Sequence, residues 1–230
     1  MRMRKKKNCG ARMEQCAALW EQRPEENKGM WTRIFGNTNP VHLEIGCGKG
    51  QFIAEMAHKY ADVNFIAMDV VPDVLVLALE KAIPLGLKNV RFMLGDAARL
   101  PEYFESGEVS RIYLNFSDPW KKNKQAKRRL THKNFLDLYK QLMPLGSGVF
   151  FKTDNKSLFE FSLNSFAQEN FKLSQITLDL HNSGYEENVM TEYEEKFARQ
   201  GLPIYRLEAR YYGWIQPEQK TELGVELRNI

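Results

Sequence analysis

From residue 40 onward the chain alternates short apolar runs with stretches of helical period, and this alternation is its dominant pattern. Runs of strand length fall at 41–45, 64–69, 89–94, 110–116, 147–153, 173–180 and 204–214. Apolar residues spaced for one helical face mark 50–60, 72–84, 131–142 and 156–168. Pro72 suits the first turn of its helix, where the missing N–H breaks no hydrogen bond. Alternating strand and helix predict an α/β domain: a seven-stranded, mainly parallel sheet with helices on both faces. The last two strands have no helix of comparable strength between them. They predict an antiparallel addition at one sheet edge, with 181–203 as a long functional loop. Before residue 40 the pattern is weaker, with a polar start over 1–10 and one or two short helices over 11–35, broken near Pro24. The expected division is therefore a basic tail with short helices over 1–35 and a single domain over 36–230.

Composition narrows the class. At 230 residues with 43% hydrophobic and 27% charged positions, the chain has enough apolar matter for one substantial core. No apolar run approaches the roughly 20 residues a membrane helix needs, and no apolar stretch follows the basic start as a secretory signal requires. Cys9, Cys16 and Cys47 are odd in number and lack C-x-x-C spacing. They read as reduced thiols of a cytoplasmic protein. His42, His58, His132 and His181 show no ligand spacing, so no metal is assigned.

Charge is unevenly distributed. Residues 2–12 carry six Lys or Arg and no acid, and residues 121–133 carry seven and no acid, although the formal net charge is only +4. The remaining chain is therefore acidic. Two concentrated basic segments on an acidic body suit a polyanion held at a defined place, although such runs are commonly just solvated surface.

Candidate chemistry begins at the first strong strand. Val41-His42-Leu43-Glu44-Ile45 runs into Gly46-Cys47-Gly48-Lys49-Gly50, and the helical pattern follows directly. A dinucleotide fingerprint is G-x-G-x-x-G, with a pyrophosphate at the helix N-terminus. Here the spacing is G-x-G-x-G, and Glu44 stands beside the loop. A carboxylate there opposes a pyrophosphate but suits a cationic ligand. Asp69 closes the next strand, where a ribose-binding acid is expected, and Asp96 follows the third, within reach of an adenine amino group. Each alone is as readily a turn or cap aspartate. Their shared placement at strand ends resembles the Rossmann-like class I methyltransferases over about residues 40–154. That resemblance implies S-adenosylmethionine as cofactor, held by Glu44, Gly46, Gly48, Gly50, Asp69, Asp96 and Asp118.

A second segment concerns the acceptor. The strand Arg111-Ile112-Tyr113-Leu114-Asn115-Phe116 ends in Ser117-Asp118-Pro119-Trp120, followed by Lys121-Lys122-Asn123-Lys124-Gln125-Ala126-Lys127-Arg128-Arg129. Asp-Pro also favours a plain turn, and Trp120 could be a buried anchor. Farther on come Phe151-Lys152-Thr153-Asp154, Thr191-Glu192-Tyr193-Glu194, Lys196-Phe197 and Gly201-x-Pro203-Ile204-Tyr205. With the basic start Arg2-Met3-Arg4, this set resembles the bacterial tRNA (guanine-N7-)-methyltransferases along essentially the whole chain. The resemblance implies methylation of guanine 46 in the tRNA variable loop by a monomer or homodimer. It implies Asp118 as the active-site acid, substrate contacts from Lys122, Asp154, Thr191, Glu192, Tyr193 and Glu194, and RNA contacts from Lys124, Lys127, Arg128 and Arg129. Two positions depart from the family: Ser117 stands where proline is common, and Asp69 where glutamate is common.

The chemistry is consistent with this. Guanine N7 is a bare ring acceptor, so its methylation needs alignment and no prior proton removal. Guanine's N1–H and amino group are donors that carboxylates receive; Asp118, Asp154 and either Glu192 or Glu194 are candidates. Another class I substrate, or an RNA-binding module without catalysis, stays open at the level of sequence. Phe159, Phe161 and Phe166 fit a helix core better than a base-stacking platform.

Overall fold

The computed structural model describes residues 8–213, so Arg2, Met3, Arg4 and Lys5–Lys7 lie outside the described residues. Strands β1 (Trp20–Glu21), β2 (Val41–Ile45), β3 (Asn64–Asp69), β4 (Val90–Leu94), β5 (Arg111–Asn115), β6 (Gly148–Thr153), β7 (Phe171–Thr177) and β8 (Tyr205–Tyr211) form one sheet. Their order is β1-β4-β3-β2-β5-β6-β8-β7. The strands from β1 to β6 pair in parallel, and β8 pairs antiparallel with both β6 and β7. The antiparallel strand thus belongs to the edge pair, with β7 outermost.

The eighth strand is the addition to the seven expected. β1 has only two residues, too few for a period, and joins the sheet by pairing Trp20 with Phe92 and Glu21 with Met93. It draws the N-terminal segment onto the body. Met13, Cys16 and Leu19 enter the core, and Trp31 is fully buried with its indole N–H donating to the Tyr103 carbonyl at 3.0 Å.

Central strands read as continuous apolar runs because helices cover both faces. Leu43, Ile45, Ile66 and Met68 point to one core, against α5 (Leu100–Tyr103), α6 (Lys133–Leu142) and α7 (Lys156–Gln168). Phe65, Ala67 and Phe92 point to the other, against α1 (Cys9–Glu14), α3 (Gln51–Lys59) and α4 (Pro72–Ala82). Phe159 and Phe166 are buried, as the helical pattern predicts. A short α2 (Trp31–Phe35) leads into β2. The segment expected as a loop over 181–203 contains α8 (Glu192–Ala198), capped by Thr191, whose hydroxyl accepts from the Glu194 N–H at 2.9 Å. Its one buried residue is Glu194, so no apolar period announced it. Among the described residues, no helix is long and apolar enough to cross a membrane.

Strand order reverses at β2, with β3 on one side and β5 on the other. Ligands of open α/β sheets bind at the carboxyl ends of strands flanking such a switch.

Candidate active site

A crevice of about 1380 Å³ opens at that switch point, lined by Gly46, Asp69, Asp96, Asn115, Asp118 and Trp120, among others. It adjoins a second hollow of about 530 Å³ that shares Gly46, Asn115 and Phe116 and adds Glu44, Gly48, Thr191, Glu192 and Tyr193. Six of the seven sequence-predicted residues on the cofactor side, all but Gly50, and three from the distant 191–194 segment thus meet along one cleft.

The glycine loop is pinned from below. Gly46 N–H and Cys47 N–H donate to the Met68 carbonyl at 2.8 and 3.0 Å, and Gly48 N–H donates to Asp69 Oδ2 at 3.0 Å. Those amides are not available to cradle a phosphate, which agrees with the spacing argument. Gly46, Gly48 and Gly50 all take positive φ, the region that glycine enters without penalty. At Gly50 space is also decisive: a Cβ there would stand 2.7 Å from Ala78 Cβ on α4. The glycine lets α3 and α4 approach.

Glu44 faces the cleft from β2 and is 1% exposed. Asn115 Nδ2 donates to its Oε1 at 2.9 Å, while its Oε2 is buried without a hydrogen-bond partner among the described residues. Burial pushes the carboxyl up to about 8, against the Asn115 hydrogen bond and the charge of Lys152. A buried, half-satisfied carboxylate beside a loop whose Gly46, Cys47 and Gly48 amides are already bonded fits a ligand that brings a cation, such as an α-ammonium group. Ser117 Oγ, in the same crevice, is also buried without a partner. Asn115 and Ser117 carried no assigned role in the sequence; the available signal was two polar residues at the end of an otherwise apolar run.

Asp69 accepts from Gly48 N–H with one oxygen and from Val71 N–H, at 2.9 Å, with the other. Burial raises its pKa, and these backbone bonds oppose the rise. It therefore shapes the loop as well as lining the crevice. Asp96 is exposed at the crevice wall and caps the next turn, accepting from Ala98 N–H at 2.9 Å.

On the acceptor side, Asp118 is exposed and lines the crevice. Phe116 and Trp120 beside it hold φ of 55° and 41°, values that side-chain-bearing residues keep only when their surroundings enforce them. Arg129 supplies part of that enforcement. Its guanidinium donates to the carbonyls of Pro119 at 3.1 Å and Trp120 at 3.2 Å and lies 4.4 Å over the Phe161 ring. Arg129 is thus half-buried and clamps the loop, whereas Lys122, Lys124, Lys127 and Arg128 are exposed. Arg128 stacks 4.2 Å over the Trp120 ring at the crevice mouth.

The distant segment divides. Tyr193 lies over Phe116 with ring centroids 5.1 Å apart, and its hydroxyl reaches Asp154 Oδ2 at 3.4 Å. Glu192 lines the cleft and pairs with Lys81 of α4. Glu194 does not reach the cleft. It is fully buried, accepting from Lys152 Nζ at 2.6 Å and from Asn188 Nδ2 at 2.7 Å. Of the two acids left as alternatives for guanine, only Glu192 faces the cleft.

A doubly wound sheet with a closed glycine loop, an acid at each successive strand end and a cation-seeking carboxylate defines a class I S-adenosylmethionine-dependent methyltransferase. A family model described as "Putative methyltransferase" matches residues 38–207. The tRNA (guanine-N(7)-)-methyltransferase of Listeria monocytogenes serotype 4a (strain HCC23) is 51% identical over 211 residues, with 92% of this chain and 99% of the relative covered. That of Streptococcus agalactiae serotype III (strain NEM316) is 50% identical over 211 residues, with 92% and 100% covered. The chain belongs to the tRNA (guanine-N7-)-methyltransferase family. Among solved structures, an antibiotic-related methyltransferase shares the fold at TM-score 0.61 and 20% identity, over 80% of this chain and 94% of that one. A SAM-dependent methyltransferase from Aquifex aeolicus does so at 0.53 and 14%, over 89% and 98%.

Proposed function

We propose that this protein transfers a methyl group from S-adenosylmethionine to N7 of guanine 46 in the variable loop of tRNA, working in the cytoplasm. The observation that carries the reading is a single cleft that holds a cation-seeking acid, Glu44, an exposed acid, Asp118, and the exposed cations Lys127 and Arg128. When bound, the cofactor supplies the electrophilic methyl group.

The residues divide the work. Glu44 receives the α-ammonium end, Gly46 and Gly48 give it room while Gly50 seats α3 against α4, and Asp69 and Asp96 face the ribose and adenine. Asp118, Asp154 and Glu192 receive the N1–H and amino donors of the guanine and hold N7 toward the methyl group. Positive charge develops on the purine, and Asp118 favours it electrostatically. No base is required, since N7 carries no proton. Thr191 and Tyr193 wall the pocket, and Lys122, Lys124, Lys127 and Arg128 meet phosphates outside it. Arg129 serves the same end indirectly by fixing Pro119 and Trp120.

The test is methyl transfer to unmodified tRNA with labelled cofactor, mapping the product by cleavage specific for 7-methylguanine. Cleavage at position 46 is expected. Label on an exocyclic amine or on another base, with none at N7, rejects the assignment and leaves the fold untouched.

A further inference from the structure

The cleft wall formed by residues 188–194 takes its apolar anchorage from the buried Val189 and from the Tyr193 ring over Phe116. Helix α8 buries only Glu194. Polar ties add to this: Gln51 of α3 to Glu195 at 2.5 Å, Lys81 of α4 to Glu192, and Lys152 of β6 to Glu194. Lys152 is the most enclosed of these anchors. Its side chain is 7% exposed and donates to Asn188 Oδ1 at 3.0 Å, the Val189 carbonyl at 2.8 Å and Glu194 Oε2 at 2.6 Å. Burial lowers its pKa, and Glu194 opposes that shift most strongly.

Lys152 is also the neighbour of Asn115 across the β5–β6 ladder, and Asn115 donates to Glu44. A line of contacts therefore runs from the Glu44 carboxylate through Asn115 to the strand carrying Lys152, and on to the wall that bears Thr191, Glu192 and Tyr193. The charge of Lys152 favours the ionised form of Glu44, which burial disfavours. A neutral side chain at 152 would remove both the seat of the wall and the cation that supports Glu44.

We infer that Lys152 is a positioning residue for the amino-acid end of the cofactor, coupling the Glu44 carboxylate to the seating of the 188–194 wall. The inference rests on Glu44 receiving the ammonium group. It predicts selective damage: ligands carrying the amino-acid end should suffer, and ligands lacking it should not.

The experiment measures binding of S-adenosylhomocysteine and of 5′-methylthioadenosine, which lacks the amino-acid end, to the full chain. Lys152→Met is expected to weaken S-adenosylhomocysteine by about tenfold, the scale of one lost charge-assisted interaction, and methylthioadenosine by less than about threefold. Removing Lys152 leaves Glu194 buried without its lysine partner, so that variant is liable to misfold. The double variant Lys152→Met/Glu194→Met removes both charges and keeps the fold accessible. It should show the same selective loss. Equal loss for both ligands, or unchanged S-adenosylhomocysteine binding in the double variant, overturns the inference. Glu44→Gln is the control on the underlying reading. If it leaves the ratio of the two affinities unchanged, Glu44 does not hold the ammonium group. If it collapses the ratio while the Lys152 variants do not, only the coupling fails.

Discussion

At the cofactor end of the cleft, the backbone does most of the shaping: Gly46, Cys47 and Gly48 donate to the end of β3, and Glu44 sits almost wholly buried behind them. At the acceptor end, side chains hold a strained loop in place: Trp120 keeps positive φ under the clamp of Arg129, and Phe116 keeps it beneath the Tyr193 ring. The first end has few degrees of freedom and suits a ligand of constant shape. The second is exposed, cationic and adjustable, which suits a folded polyanion read largely by phosphates and shape. Substitutions at the first end should therefore act on cofactor affinity or folding, and those at the second on turnover and RNA binding.

The largest expected effect tests the acceptor end. Asp118→Asn should lower single-turnover methylation by about 100-fold, the scale of removing one preorganised electrostatic contact at a transition state. Full turnover with unaltered guanine binding would remove Asp118 from its role.

Glu44→Gln comes next and should act in two opposite directions. Cofactor affinity should fall by about 30-fold, or ~2 kcal/mol, as a charge-assisted contact is lost. Apo stability should change with the contrary sign. The folded carboxyl titrates near 8, above its ordinary value, so the folded state holds more protons than the unfolded one between the two values. The destabilisation from ionising it is absent in acid, grows as pH rises and is complete above about 8. Glu44→Gln should therefore raise the apo melting temperature at pH 8.5 and leave it nearly unchanged at pH 4. A parallel loss of stability at both pH values would show that Glu44 is a structural residue.

Arg129 and Arg128 sharpen the contrast between adjacent cations. Arg129→Ala should reduce kcat/KM by about tenfold and destabilise the protein by ~1–2 kcal/mol, because two half-buried carbonyl contacts are lost. Arg128→Ala, with an exposed side chain, should leave urea stability within about 0.5 kcal/mol. Identical stability of the two variants would refute the clamp. The smallest effect is expected from Lys127→Ala with Arg128→Ala, read as salt dependence. The log–log slope of tRNA binding should shrink by about one unit for each phosphate contact removed. An unaltered slope would assign both residues to a merely solvated face.

Much of this was legible before any coordinates. The runs at 41–45 and 64–69 match β2 and β3 residue for residue because strands buried on both faces are largely apolar, with His42, Glu44 and Asn64 as buried polar exceptions. Helix α8 and strand β1 were not legible, the one because it buries a charge and the other because two residues have no period. Glu44 is visible as an acid in the wrong chemical company for a pyrophosphate, and Asp118 as the acid of an Asp-Pro-Trp segment followed by a cationic run. The roles of Asn115, Lys152 and Arg129 were not, since each depends on partners up to 71 positions away.

By itself the sequence determined the fold class, the cationic nature of the donor and the family, because these reside in local periodicity, spacing and motif. Only the tertiary structure decided which cations are free and which are clamps, and which of Glu192 and Glu194 faces the cleft. Adjacent residues on a helix point in different directions, and burial, which separates a buried ion pair from a binding group, is a property of the packed chain alone.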